Sequence, residues 1–234
     1  SQLVLFILNF FDYFHKKKIL QFLRQNNLET LEIFFDIGAH KGETIEFFKK
    51  NLNINKIYAF EASPSNFQCL FEKIDNKNIV LENIALGFDD QLLNFHQCDE
   101  SSSSTFSKIN FESKYYRKKN FLLNHKKNNN FFKTKKINTI SLKDYIESKN
   151  IKKIDLMKID TEGYEFNILR GLYSEIKNIR AILFEHHYDD MIIKNYTFSS
   201  IHNLLLKNDF VKKSKFKMPF RKTFEYIYLN KRYL

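Results

Sequence analysis

Acidic residues recur along the chain at points where a β-rich run gives way to a turn, and their surroundings constrain the chemistry they could do. The run "FFDIGAHKGET" sets Asp36 two residues ahead of Gly38, with Ala39 next and Gly42 closing the turn. A dinucleotide site needs G-x-G-x-x-G so that a bare helix N-terminus can hold a pyrophosphate; here His40 and Lys41 fill the place of the middle glycine. Asp36 would repel a pyrophosphate and attract an ammonium. The ligand favoured is cationic at an amino-acid end and lacks phosphates, a description that S-adenosylmethionine fits through its amine and sulfonium. Glu61, 25 positions after Asp36, ends a second strand, where a carboxylate accepts both hydroxyls of a ribose, in NAD as well as in adenosylmethionine. Asn83 falls where an adenine edge would be approached, with Ile84 and Ala85 to cover the ring, although asparagine is equally a turn residue.

Two later clusters suit a reacting centre. "KIDTEGYE" puts Asp160 and Glu162 at a strand end, with Gly163 opening the turn. Methyl transfer to an alcohol needs donor and acceptor aligned and a proton removed, and a carboxylate beside the oxygen serves as base. The other use of Glu162 is to cap the following helix. In "FEHHYDD", strand geometry places Glu185 and His187 on one face and His186 on the other. His187 is then read as a hydrogen-bonding residue or proton acceptor, since imidazole titrates near neutrality. No HExxH or similar spacing accompanies the cluster, so no metal site is expected.

These groups must be held by an alternating framework. "LEIFFDIG", "KIYAFEA" and "NIVLENIAL" read as strands, separated by helices with Ile45, Phe48 and Leu52 on one side and, after Ser63-Pro64, Phe67, Leu70, Phe71 and Ile74 on one side. That is half of a doubly wound fold with a parallel sheet. "LLNFHQC" reads as an edge or hairpin strand, and residues 99–136 show no period, suggesting an irregular lid or a compositionally biased loop. Alternation resumes with a capping-box-like start at Ser141 and Asp144, the strand "KKIDLMKID", a helix through Ile168, Leu169, Leu172 and Ile176, the strand "IRAILFEHH" and the helix "SSIHNLLLKN". "FVKKSKF" and "TFEYIYLNK", with no helix between them, make an antiparallel edge.

Leu3, Phe6, Ile7, Phe10, Phe11 and Phe14 form one stripe of an amphipathic helix, too short an apolar run to cross a bilayer. Packing on the domain is the plainer use, and an interfacial anchor through residues 1–18, followed by "HKKK", is the other. The organisation expected is an N-terminal helical extension over 1–30 and one domain over 31–234, interrupted at about 99–136. Cys69 and Cys98 form no disulfide or zinc pattern, which points to a cytoplasmic setting. The net charge of +11 comes from Lys that travels with abundant Asn, Ile and Phe. It reads as compositional bias, and no nucleic-acid partner is expected.

Together the pieces "DIGAHKG", "AFEASPSNF", "NIAL", "SSSSTF", "TISLKDYI", "DLMKIDTEGYEFNILRG" and "LFEHH", in that order over residues 32–190, resemble the FkbM family of S-adenosylmethionine-dependent methyltransferases. The resemblance implies a class I, Rossmann-like methyltransferase fold, α/β with a seven-stranded doubly wound sheet. It also implies O-methylation of sugar hydroxyls on glycans or secondary metabolites, often beside polysaccharide biosynthesis. On the donor side the chain then offers Asp36, Gly38, Ala39, Gly42, Glu61, Ala62, Asn83, Ile84, Ala85 and Asp160; on the acceptor side Ser103, Glu185 and His187, with Asp160, Glu162 and His187 as catalytic candidates. His40-Lys41 departs from the family's pattern. An RNA methyltransferase and a nicotinamide-dependent oxidoreductase are the alternatives.

Overall fold

The computed structural model describes residues 2–74, 77–98, 104–123 and 132–234. Along the chain run α1 (Gln2–Gln25), β1 (Thr30–Ile37), α2 (Glu43–Asn51), β2 (Asn53–Phe60), α3 (Pro64–Lys73), β3 (Ile79–Glu82), β4 (Ala85–Gly87) and β5 (Gln91–Cys98). They are followed by β6 (Lys108–Ile109), α4 (Lys114–Leu123), β7 (Phe132–Ser141), α5 (Leu142–Ser148), β8 (Ile154–Ile159) and α6 (Glu165–Arg170). Last come β9 (Ile179–His187), β10 (Ile192–Ile193), α7 (Phe198–Lys207), β11 (Phe210–Lys217) and β12 (Thr223–Asn230).

Seven strands form the main sheet in the order β11-β12-β9-β8-β1-β2-β3. Its β3, β2, β1, β8 and β9 are parallel, and β12 and β11 close one edge antiparallel. The chain starts at β1, winds outward through β2 and β3, and returns to lay β8 on the other side of β1. The carboxyl ends of β1 and β8 therefore flank the switch point, where open α/β sheets bind ligands. Here Asp36 stands in register with Lys158, and Ile37 with Ile159.

Burial on both faces explains why the central strands read as nearly unbroken apolar runs. Phe35, Ile37, Met157 and Ile159 join one core layer, whereas Phe34, Leu156, Ala181 and Leu183 join the other. Ile19, Leu20 and Leu23 bring α1 into the second layer, so its C-terminal half packs on the domain. Of the expected stripe, the side chains of Leu3, Phe6, Ile7 and Phe10 lie outside the described residues, Phe11 and Phe14 are exposed, and the first buried side chain among those described on α1 is His15.

Three other expectations change. Asn78–Leu86 is two strands, because the chain breaks at Asn83-Ile84 and β4 joins β7 and β5 in a separate three-stranded sheet. The helix expected through Ile176 ends at Arg170 and is followed by a 3₁₀ turn over Tyr173–Asn178. The stretch expected to be irregular contains β6, α4 and the start of β7 among its described residues. No helix among the described residues is long and apolar enough to cross a membrane.

Candidate active site

A cleft of about 690 Å³ opens at the switch point. Its donor-side wall begins where β1 ends. The N–H groups of Gly38 and Ala39 both donate to the carbonyl of Phe60 at 2.9 Å, pinning the turn to β2. Gly38 has φ +83°, and a Cβ there would lie 1.9 Å from the carbonyl oxygen of Asp160. What the missing side chain permits is the close approach of the β8 turn. Gly42 (φ +87°) is the N-cap of α2, and a Cβ on it would press at 3.0 Å on Leu70 of α3 and on Ile74, the residue that ends that helix; it packs helices and is absent from the cleft lining.

Asp36 is fully buried, and neither of its carboxylate oxygens has a hydrogen-bond partner; Lys158 Nζ stands 3.7 Å away. Burial raises its pKa, with the Lys158 ammonium opposing. Glu61 lines the cleft and accepts the N–H groups of His40 and Ser63, each at 2.8 Å. Burial pushes its pKa up to about 7 against those hydrogen bonds. Ala39, Ala62, Ile84 and Ala85 supply apolar wall, as do Phe95, Phe106 and Tyr164. Asn83, in contrast, is exposed outside the lining and donates to the Glu61 carbonyl at 2.8 Å, so it braces a lining residue and does not face the cleft.

Across the cleft stand Asp160, Glu162 and Glu185. Lys158 Nζ donates to Asp160 at 3.2 Å. Burial would raise the Asp160 pKa, but that ammonium holds it below the usual carboxylate range. Glu185 behaves oppositely: burial first, then the Asp160 carboxylate, push it well above its ordinary value. The β8 turn is shaped by Glu165, which accepts from the N–H of Gly163 at 2.9 Å and of Thr161 at 3.2 Å, while Tyr196 donates to its other oxygen. Glu165 thus ties the turn ahead of α6, whose N-cap Tyr164 makes no side-chain cap hydrogen bond, and Glu162, at φ +51°, approaches His187 Nε2 at 3.3 Å.

His187 lies behind this trio, not in the lining. Its Nε2 is also 3.2 Å from Glu185, and its Nδ1 is 3.5 Å from Asp189. Burial works against its charge, yet Glu162, Asp189 and Glu185 outweigh burial and push its pKa up to about 10. With its charge favoured in this way, the ring lies against Glu162 and Glu185 on one side and Asp189 on the other. His186 points away onto Tyr188, Tyr196 and Phe198 as strand alternation requires, and burial lowers its pKa to about 3. Ser103 lies outside the described residues; Ser104 lines the cleft. Among the described residues no group of three His, Cys, Asp or Glu side chains could hold a metal ion.

Sequence reasoning missed a third wall. α1 contributes Asp12, His15 and Lys16, and the β11–β12 hairpin contributes Arg221 and Glu225. Arg221 donates to Asp12 at 3.1 Å, and His15 Nε2 is hydrogen-bonded to Glu225 at 2.5 Å. Nothing local announces these pairs, which join residues 209 and 210 positions apart. Lys158 did leave a signal, as a lone cation inside the apolar strand "IDLMKI".

The lining residues fit S-adenosylmethionine: the Gly38–Ala39 turn, the Glu61 carboxylate after β2, and apolar wall from Ala62, Ile84 and Ala85, with the unpartnered Asp36 buried behind them and outside the lining. A family model described as the methyltransferase FkbM domain matches residues 36–212. Hexuronic acid methyltransferase AglP of Haloferax volcanii is 24% identical over 159 residues, covering 68% of this chain and 57% of that protein. The crystal structure of an FkbM methyltransferase from Methylobacillus flagellatus KT superposes with a TM-score of 0.50 at 14% identity, covering 86% of this chain and 44% of that one. Magnesium protoporphyrin IX methyltransferase of Synechocystis PCC 6803, solved with S-adenosylmethionine bound, gives 0.50 at 8% identity over 92% of this chain and 77% of that one. The chain spans little over half of the curated relative and under half of the first structure, and the structural likenesses show the fold. By the match over residues 36–212, the chain belongs to the FkbM family of S-adenosylmethionine-dependent methyltransferases.

Proposed function

We propose that this chain transfers a methyl group from S-adenosylmethionine to a hydroxyl oxygen of a sugar, on a glycan or glycoconjugate. The observation that carries the reading is the opening of the donor turn and of Asp160, Glu162 and Glu185 into one cleft, with the Asp160 pKa lowered and that of Glu185 raised. Glu61 would hold the ribose and Ala62, Ile84 and Ala85 the adenine, with Asp36 and the Gly38 turn around the methionine end. When bound, the cofactor supplies an electrophilic methyl group on a sulfonium. Glu185, whose proton affinity is raised, takes the proton that the acceptor hydroxyl releases. Asp160 stays ionised beside Lys158 and orients the hydroxyl. His187 fixes Glu162 and Glu185 from behind.

A sugar suits this lining, because carboxylates outnumber cationic side chains there and hydroxyls are good donors to carboxylates. The same excess of negative charge disfavours entry of a phosphodiester backbone, despite the net +11 of the chain. AglP, by its name, acts on a hexuronic acid, which supports a sugar acceptor. The test is incubation of the full chain with S-adenosylmethionine and a panel of neutral and acidic glycans. Formation of S-adenosylhomocysteine and a product heavier by one methylene is expected. Turnover on RNA with none on any glycan would overturn the reading.

A further inference from the structure

We propose that the cleft mouth carries a docking surface for an anionic lipid bilayer, built jointly by α1 and the β11–β12 hairpin. Phe11, Tyr13 and Phe14 are exposed on α1, and Phe220 at the hairpin tip is 71% exposed. The two elements make one patch, since the rings of Phe11 and Phe220 meet edge to face at 5.1 Å. Cations border it on both sides: Lys17 and Lys18 follow the aromatic residues on α1, and Lys217 and Lys222 flank the hairpin tip, all exposed. Asp12 is the one carboxylate between Gln2 and Glu29, and Arg221 neutralises it.

Aromatic rings bordered by lysines are the composition that sits at a bilayer interface, where the rings enter the headgroup boundary and each lysine gains from anionic lipid. A second copy of this chain is a poorer occupant, because the same lysines would face one another across the contact. The surface adjoins the cleft directly, as α1 lines it through Asp12, Tyr13, His15 and Lys16.

The test is co-sedimentation of the full chain with vesicles of phosphatidylcholine alone and of about three parts phosphatidylcholine to one part phosphatidylglycerol. Binding to the anionic vesicles, weakened by added salt, is expected. Lys17→Glu with Lys18→Glu should weaken it by about 30-fold or more, and Phe220→Ser by about tenfold. Calorimetry with S-adenosylhomocysteine checks that each variant remains folded and separates this proposal from the proposed activity, since vesicle binding needs no turnover. Absence of binding to anionic vesicles would overturn the proposal. So would equal binding by the variants, or a dimer in light scattering that Phe220→Ser dissociates.

Discussion

If Glu61 holds the ribose as proposed, cofactor binding should depend on pH. Its pKa rises from 4.5 to about 7 because burial disfavours the charge, and the hydrogen bonds from Ser63 and His40 only partly compensate. A carboxyl with a raised pKa stabilises the fold fully below pH 4.5 and loses that contribution as pH climbs through 7. The shift corresponds to about 3 kcal/mol. Ribose hydroxyls donate best to the ionised carboxylate, so the ligand must select that form. At pH 6 about one molecule in ten has Glu61 ionised, and at pH 8 about nine in ten do. Affinity for S-adenosylhomocysteine should therefore fall about tenfold from pH 8 to pH 6, with close to one proton released per binding event at the lower pH. Titration calorimetry in two buffers of different ionisation enthalpy measures both quantities. Glu61→Gln should flatten the profile and weaken binding at pH 8 by about tenfold to a hundredfold, the worth of charged hydrogen bonds. A wild-type affinity constant between pH 6 and 8, or an equal slope in the variant, would refute the assignment.

Other perturbations separate the roles around the cleft. Glu185→Gln should lower kcat by about 10²–10⁴-fold while leaving S-adenosylhomocysteine affinity nearly unchanged, and Asp160→Ala should likewise cost turnover more than cofactor binding. Unchanged turnover in Glu185→Gln would remove it as proton acceptor. His187→Gln should cost roughly 3–5 kcal/mol at pH 7 in denaturant unfolding, by leaving buried carboxylates without their cation. Because the His187 pKa is raised to about 10, its contribution is complete below pH 6.5 and disappears as pH rises through 10. The variant should lack that alkaline loss of Tm. Gly38→Ala should destabilise by roughly 3 kcal/mol or more, through a left-handed backbone and a clash with a carbonyl; retention of wild-type Tm would contradict that geometry.

The sheet and the acidic strand ends were legible because each is written locally. Apolar runs, Ser63-Pro64 and Ser141 with Asp144 announce elements one at a time, and Ser63 and Ser141 do accept the cap hydrogen bonds from Asn66 and Asp144. The roles of individual groups were less legible, because protonation depends on neighbours distant in sequence. His187 reads as an ordinary imidazole until Glu162, Glu185 and Asp189 converge on it. Asn83 reads as a ligand contact until the break after β3 turns its amide onto the Glu61 backbone. The α1 and hairpin wall was invisible, since it exists only when Asp12 meets Arg221 and His15 meets Glu225.

The near-contact between Gly38 and the carbonyl of Asp160 has a mechanical meaning. One backbone is notched into the other, like teeth of meshed gears, and the Asp160 N–H donates to Ile37 at 2.9 Å in the same place. The Gly38 turn cannot shift without dragging the turn that presents Asp160 and Glu162. The relative placement of the two turns is thus set by main-chain contacts. The third wall of the cleft, from α1 and from Met218, Arg221 and Glu225 of the hairpin, lies outside residues 36–212 and is not part of that interlock.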